Sequence, residues 1–188
     1  MLTILTLKML LMIVYLAHWD WILTQSRKDI VSNINDSKFM AICPIGQNEI
    51  ELENYYKEAI DWKLNRNKIF DYRGIKNLRN TIKDLNPDVI FCFGWSSLIS
   101  KKVLNIPPIG VVGYHPTKLP KNRGRHPLIW ALALGLTKSA STFFFMDEGV
   151  DSGDILSQID FEILYQDDAY SIYDKVIKIA LSQIDEFI

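Results

Sequence analysis

The 188-residue chain has few cysteines and no excess of charge of either sign. Its two cysteines, Cys43 and Cys92, form no C-x-x-C pair and no cluster of metal-ligand spacing with the three histidines. We therefore expect two buried free thiols in a reducing cytoplasm, and no metal. Lysine and arginine number 21 against 22 aspartates and glutamates, so the net charge of -1 gives no basic field for duplex nucleic acid.

The chain also lacks the usual phosphate cradles and a clean membrane span. No G-x-G-x-x-G or G-x-x-x-x-G-K-[ST] pattern occurs. Residues 1–17 are largely apolar, but Lys8 interrupts them, and a span needs about 20 clean residues. A signal peptide is disfavoured because nothing basic precedes Lys8 and no small-residue exit follows. We predict instead a buried strand, Leu10–Leu16, behind a short leader or misassigned start in residues 1–8.

Apolar side chains, 48% of the residues, are sufficient for a full core. Short continuous apolar runs alternate with segments of helical period, which predicts an α/β fold: a mostly parallel sheet with helices on both faces. Residues 127–134 are apolar all round, which predicts a buried helix. The predicted strands are Leu10–Leu16, Lys38–Cys43, Asp88–Phe93, Ile109–Tyr114, Ala140–Met146 and Ile155–Phe161; the predicted helices are residues 20–34, 48–62, 74–85, 97–104, 127–134 and 168–187.

Two segments that follow predicted strands carry most of the chemistry. Residues 113–126 are GYHPTKLPKNRGRH, and residues 146–155 are MDEGVDSGDI. Sheets of this type bind ligands at the carboxyl ends of their strands, where His115 and Asp151 would both lie. A histidine oriented by a carboxylate is the usual arrangement for proton transfer near neutral pH. The spacing alone leaves a loop histidine and a capping aspartate as the alternative.

The first segment is strongly basic. Lys118, Lys121, Arg123 and Arg125 have no acidic residue between them. One interpretation is a solvated basic loop. The other is a binding site for an anionic group of a substrate, because arginine forks match phosphate oxygens. The residues predicted for that site are Lys118, Arg123 and Arg125.

The sequences HPTKLPKNRGRHPLIWAL and GLTKSASTFFFMDEGVDSGDIL closely resemble the core of the folate-dependent formyltransferases, and the resemblance covers about residues 9–186. This family includes methionyl-tRNA formyltransferase, the glycinamide ribonucleotide enzyme and the sugar-nucleotide N-formyltransferases. The resemblance implies a Rossmann-like formyltransferase fold, with one catalytic domain in residues 9–188 and no C-terminal barrel. The Trp19-Asp20-Trp21 and Phe93-Gly94-Trp95-Ser96 segments are similar to the sugar branch.

The resemblance also implies a reaction and its residues. A formyl group would move from 10-formyl-tetrahydrofolate to a small-molecule amine, foremost that of an amino-sugar nucleotide. His115 would donate and accept the proton beside the oxyanion, while Asp151 would raise the pKa of the histidine and fix its tautomer. We expect no membrane partner and leave a homodimer open. The pterin pocket would be walled, largely through backbone groups, by Phe91, Phe93, Gly94, Trp95, Met146, Gly149 and Val150.

Gly113 departs from the family pattern, which has an asparagine two residues before the histidine. That amide donates a hydrogen bond to the oxyanion, and losing one such donor typically costs about 10²–10³ in rate. A replacement donor, a slow enzyme and a non-catalytic folate- or nucleotide-binding remnant are the hypotheses that Gly113 leaves open. An activity like that of methionyl-tRNA formyltransferase is a further alternative.

Overall fold

The computed structural model describes residues 12–17, 38–43, 58–61, 72–95 and 98–187. They fall into two compact units, which divide between Val112 and Gly113. In chain order the elements are β1 (Met12–Ala17), β2 (Lys38–Cys43), β3 (Glu58–Asp61), α1 (Tyr72–Leu85), β4 (Val89–Phe93), α2 (Lys101–Leu104), β5 (Gly110–His115), α3 (Pro127–Ala133), β6 (Lys138–Phe145), β7 (Ile155–Glu162) and α4 (Ala169–Phe187).

In the unit that ends at Val112, four strands pair in parallel in the order β3-β2-β1-β4. Ile13 of β1 lies opposite Phe39 of β2 and Val89 of β4. Every residue of β4 is buried, as its continuous apolar sequence predicts for a strand covered on both faces. The first strand is confirmed from Met12 onwards, while the predicted helix 20–34 lies outside the described residues.

The helix predicted for residues 48–62 is wrong over its described part. Glu58–Asp61 is a strand, β3, in which Ala59 pairs with Ala41 and Ile60 with Ile42 of β2. Its apolar pair Ala59 and Ile60 is too short to show a period of its own. Pairing with a neighbouring strand therefore decides the conformation and overrides the local helical preference.

Helix α1 confirms the helix predicted for residues 74–85 and begins slightly earlier. Its side chains Leu78 and Ile82, one turn apart, are both buried. Asn86 takes a left-handed conformation (φ +46°), its N–H bonds back to the Ile82 carbonyl, and Pro87 follows, which stops the helix. The helix predicted for residues 97–104 is confirmed only as the short α2.

In the unit that begins at Gly113 the strand order is β5-β6-β7, and β6 and β7 are antiparallel. Phe143 pairs with Ser157 but Phe144 pairs with Ile155, so Leu156 is an extra residue that forms a bulge in β7. The α/β prediction is confirmed, with this antiparallel pair added to parallel strands.

Helix α4 covers a core shared with α3 and β7. Ile172 and Val176 of α4 cluster with Leu128, Ala131 and Phe161. None of the described helices combines the length and the apolar character that crossing a membrane requires.

The prediction that α3 is buried on all sides is wrong. Only Leu128 and Ala131 of α3 are buried, whereas Ile129, Trp130 and the following Leu134 are exposed. A single helix against this core buries one face and leaves the other outside, although both faces are apolar.

Candidate active site

His115 and Asp151 lie together in the unit that begins at Gly113. His115 is the last residue of β5, and Asp151 lies in the loop between β6 and β7. His115 Nε2 is 3.5 Å from Asp151 Oδ2, and the two side chains are only 12% and 19% exposed. The distance allows an ion pair, yet no group among the described residues forms a hydrogen bond with the buried Nε2 atom.

A backbone contact from Gly124 holds the aspartate side chain, and a second backbone bond closes the loop that carries it. Asp151 itself adopts a left-handed conformation (φ +46°), and its Oδ2 atom accepts a hydrogen bond of 2.8 Å from the N–H of Gly124. Gly124 has φ +100°, a conformation that residues with a Cβ rarely adopt. Phe145 N–H donates to the Asp154 carbonyl at 2.8 Å. This bond closes the base of the loop between β6 and β7 (residues 146–154, the aspartate loop). The carboxylate is therefore held by the backbone of the loop that follows β5.

Burial is the largest influence on His115 and lowers its pKa below the usual 6.5, while the charge of Asp151 and a hydrogen bond with the Asn122 backbone oppose that shift. Asp151 does raise the pKa of His115, as expected. The net shift is nevertheless downward, contrary to the expectation, because burial has the larger effect. Desolvation of a charged imidazole outweighs the carboxylate because the side chain is almost enclosed.

That Asp151 fixes the tautomer of His115 stays a prediction. The Nε2 atom of His115 is buried and has no hydrogen-bond partner among the described residues, while the Asn122 backbone lies near enough to raise the pKa of the imidazole. A neutral imidazole has one ring nitrogen that can accept a proton. His115 and the carboxylate of Asp151, 3.5 Å apart, therefore make a site where an N–H or O–H group can give up a proton.

Gly113 is a close-packing glycine. A Cβ on Gly113 would lie 2.9 Å from Cγ of Met146 and 2.9 Å from two ring carbons of Phe144. The thioether and the phenyl ring thus occupy the space where a side chain at this position would begin. Met146 and Phe144 therefore fill the space beside Gly113, and the position is not simply an asparagine site left empty.

The basic loop is partly neutralised by acids of its own unit. Lys118 forms an ion pair with Asp160, and both side chains are half-exposed. Arg123 lies near Asp147, whose pKa is lowered first by the Ser152 hydroxyl, at 2.7 Å, and to a smaller extent by Arg123. Arg125 is exposed. Anion binding by these residues stays a prediction.

The residues predicted for the pterin pocket fall in both units. Phe91 and Phe93 are buried in β4 with ring centroids 6.1 Å apart, and Gly94, at φ +59°, turns the chain that leads to Trp95. Met146, Gly149 and Val150 lie in the aspartate loop, and Val150 is 53% exposed. Their role in folate binding stays a prediction.

Two polar side chains that the sequence does not predict for the site, Thr142 and Gln158, bind the loop after β5 (residues 116–126, the histidine loop). Thr142 Oγ1 donates to the Thr117 carbonyl at 2.6 Å, and Gln158 Nε2 donates to the Leu119 carbonyl at 3.2 Å. Their strands, KSASTFFF and ILSQIDFE, hold several other polar residues, so polarity in the sequence does not single these two out.

Within the described part of the chain, no three His, Cys, Asp or Glu side chains are grouped as a metal site. Cys92 is buried and free, and burial raises the pKa of its thiol. A thiol kept protonated in this way is chemically inert.

Curated relatives share sequence with parts of the chain. Methionyl-tRNA formyltransferase of Clostridioides difficile (strain 630) is 33% identical over 111 residues, 59% of this chain and 36% of that protein. The same-named protein of Caldicellulosiruptor saccharolyticus is 31% identical over 144 residues, 76% of this chain and 46% of that protein. The chain thus spans less than half the length of these relatives.

Solved structures share the fold across nearly the whole chain. Phosphoribosylglycinamide formyltransferase from Streptococcus pneumoniae TIGR4 superposes with a TM-score of 0.73 at 16% identity, covering 94% of this chain and 95% of that one. The phosphoribosylglycinamide formyltransferase from Coxiella burnetii gives a TM-score of 0.74 at 18% identity, covering 91% and 82%. At such identities the likeness concerns the fold.

Residues 45–185 match the family model described as Formyl transferase, and the chain therefore belongs to the formyl transferase family.

Proposed function

We propose that this chain transfers a formyl group from 10-formyl-tetrahydrofolate to an amine. The observation that carries this proposal is the partly buried pair of His115 Nε2 and Asp151 Oδ2, 3.5 Å apart. An attacking amine has to lose a proton, and this pair can receive one. Membership of the formyl transferase family supports the identity of the transferred group.

The reaction proceeds in two balanced steps. The amine nitrogen attacks the formyl carbon, a C–N bond forms, and the carbonyl oxygen becomes an oxyanion while the amine proton passes to Nε2 of His115. The tetrahedral intermediate then collapses, the bond to N10 of the folate breaks, and N10 takes the proton from the imidazolium. Asp151 stabilises the imidazolium during its brief existence, because a buried cation needs a neighbouring negative charge.

For the acceptor we propose the amine of a nucleotide-linked sugar. The support is the basic loop, in which the exposed Arg125 lies beyond the partly neutralised Lys118 and Arg123. A guanidinium fork suits the phosphate oxygens of such a substrate. The buried free thiol of Cys92 supports the proposed cytoplasmic location.

The amine of an aminoacyl-tRNA is the second candidate acceptor. It is favoured by the relatives, which are named methionyl-tRNA formyltransferase and are 33% and 31% identical to this chain. The two acceptors differ in what they require of the chain, because a tRNA would need a much larger basic surface than this loop.

The test is formation of tetrahydrofolate from 10-formyl-tetrahydrofolate by the purified chain, with a panel of amino-sugar nucleotides, phosphoribosylglycinamide and methionyl-tRNA. We expect product with an amino-sugar nucleotide and none for His115→Ala. Product with methionyl-tRNA alone would transfer the proposal to the second acceptor. Folate binding without product for any amine would indicate the non-catalytic remnant.

A further inference from the structure

We propose that Thr142 and Gln158 are positioning residues, which fix the loop that presents His115 to its substrate. The inference rests on the proposed function, but its geometry is independent of the acceptor. Neither side chain contacts the imidazole. Both act through the carbonyl groups of the loop that follows β5.

The two side chains form one hydrogen-bonded relay. Thr142 of β6 and Gln158 of β7 lie directly opposite each other in the antiparallel register. Gln158 Nε2 donates to Thr142 Oγ1 at 2.9 Å and to the Leu119 carbonyl at 3.2 Å. Thr142 Oγ1, having accepted that bond, donates its own hydrogen to the Thr117 carbonyl at 2.6 Å. One amide proton and the hydroxyl proton are therefore donated to the loop, and the other amide proton links the two side chains.

The relay reaches His115 through the peptide unit at Thr117. The Thr117 N–H donates to the His115 carbonyl at 2.8 Å, and the Thr117 carbonyl receives the threonine hydroxyl. Thr142 is 0% exposed and Thr117 2% exposed, so water cannot substitute for a lost bond at this point. The ion pair of Lys118 with Asp160, two residues along β7, holds the loop from the same strand.

The loop needs this anchoring because it returns to its own starting point. The backbone of Asn122 comes back near the imidazole of His115, and Gly124 brings its N–H to Asp151. Bonds at Thr117 and Leu119 fix the first half of the loop and so set where the second half arrives. If they are broken, we expect the Gly124 N–H to move away from Asp151 and water to enter around the imidazole.

The experiment compares Thr142→Val, which keeps the shape and removes the hydroxyl, with Thr142→Ser, which restores it. Ser157→Ala is the matched control, because Ser157 lies next to Gln158 in β7 but accepts a hydrogen bond from Gln183 of α4 and does not contact the loop. The readouts are kcat and KM for amine and folate, and the NMR titration of the His115 imidazole. The titration needs no substrate, so it stays informative if the proposed function fails.

We expect Thr142→Val to lower kcat at least tenfold with little change in KM, and to move the His115 titration upward toward 6.5 as burial is lost. Thr142→Ser should recover both, and Ser157→Ala should alter neither. If Thr142→Val does not fold, Gln158→Met, which removes the amide without adding charge, is expected to show the same two effects. A folded Thr142→Val or Gln158→Met with a native His115 titration and native kcat would overturn the proposal.

Discussion

The N–H of Gly124 lies 2.8 Å from the same oxygen of Asp151 that faces His115, so the carboxylate is held by the loop that the histidine begins. The main chain of one loop thus binds the side chain of the other, next to the imidazole of His115. This dependence on a backbone amide makes the conformation of Gly124 part of the site.

We expect Gly124→Ala to impair formyl transfer more than it impairs stability. A Cβ at Gly124 meets no atom of the described residues within 4 Å, so its cost is the strain of φ +100°. Gly135→Ala is the control, since Gly135 has φ +63°, equally open surroundings among the described residues, and no contact with the site. Chemical denaturation should show a loss of roughly 1–2 kcal/mol in both variants, and only Gly124→Ala should also lose turnover. Equal turnover in the two variants would contradict this role.

His115→Ala should lower the rate of formyl transfer by about 10²–10⁴, the usual contribution of an acid–base group. The matched control is His126→Ala, because His126 lies exposed at the other end of the same loop, just before α3. The measurement is the steady-state rate with one accepted amine. Near-native turnover of His115→Ala would remove the catalytic assignment.

The sequence predicts the location of the pair but not how it is held. His115 and Asp151 follow apolar runs that end at strand termini, and the chain order alone places such residues near each other. The contribution of Thr142 and Gln158 depends on strand register, which places them directly opposite each other on β6 and β7. A polar residue within a strand gives no indication of the partner across from it.

Other failures of prediction have equally local causes. Glu58–Asp61 pairs with β2 although its own sequence favours a helix. The net pKa shift of His115 depends on how completely the surrounding chain excludes water, a quantity that no motif contains. The packing of Gly113 against Met146 and Phe144 likewise depends on the neighbouring strand.

The lowered pKa of His115 predicts a loss of stability on acidification. In the unfolded chain the imidazole takes up a proton near its usual pKa of 6.5, while in the folded chain burial delays the uptake to lower pH. Between these two values the unfolded state binds more protons, so the free energy of unfolding falls as the pH drops from 6.5 through the folded pKa. Above 6.5 this contribution of the neutral, buried histidine is fully present.

Urea unfolding of the wild type and His115→Gln over a pH series isolates this effect as the difference between the two pH dependences. Asp151→Asn removes the charge that opposes the shift, and we expect it to lower the folded pKa further and to widen the window. A wild-type curve parallel to that of His115→Gln would show that the histidine is not held neutral.

Gly113→Asn should destabilise the protein and lower its activity, even though it restores the side chain of the family pattern. Cβ alone would approach Met146 and Phe144 to 2.9 Å, and overpacking of this kind typically costs about 1–3 kcal/mol. Gly113→Ala separates the cost of Cβ from that of the amide. A rate increase in Gly113→Asn with unchanged stability would mean that the neighbouring side chains yield and that the wild type lacks an oxyanion donor.

A tetrahydrofolate analogue should raise the melting temperature of the chain by mass action. The rise should persist in His115→Ala, because the predicted pterin contacts are mainly backbone groups and His115 is not among them. Differential scanning fluorimetry over a range of analogue concentrations provides the measurement. Absence of a shift at saturating analogue would exclude both the enzyme and the folate-binding remnant.

The bulge at Leu156 has a bearing on how this site tolerates changes in chain length. It lies between Asp151 and Gln158, and it is the one point in the β6–β7 pair where the register is already offset. An insertion or deletion in the aspartate loop can be absorbed at a bulge, since one more or one fewer unpaired residue there leaves the pairing beyond it intact. Length variation in evolution or by engineering can therefore remodel the substrate side of this loop while Thr142 and Gln158 stay face to face.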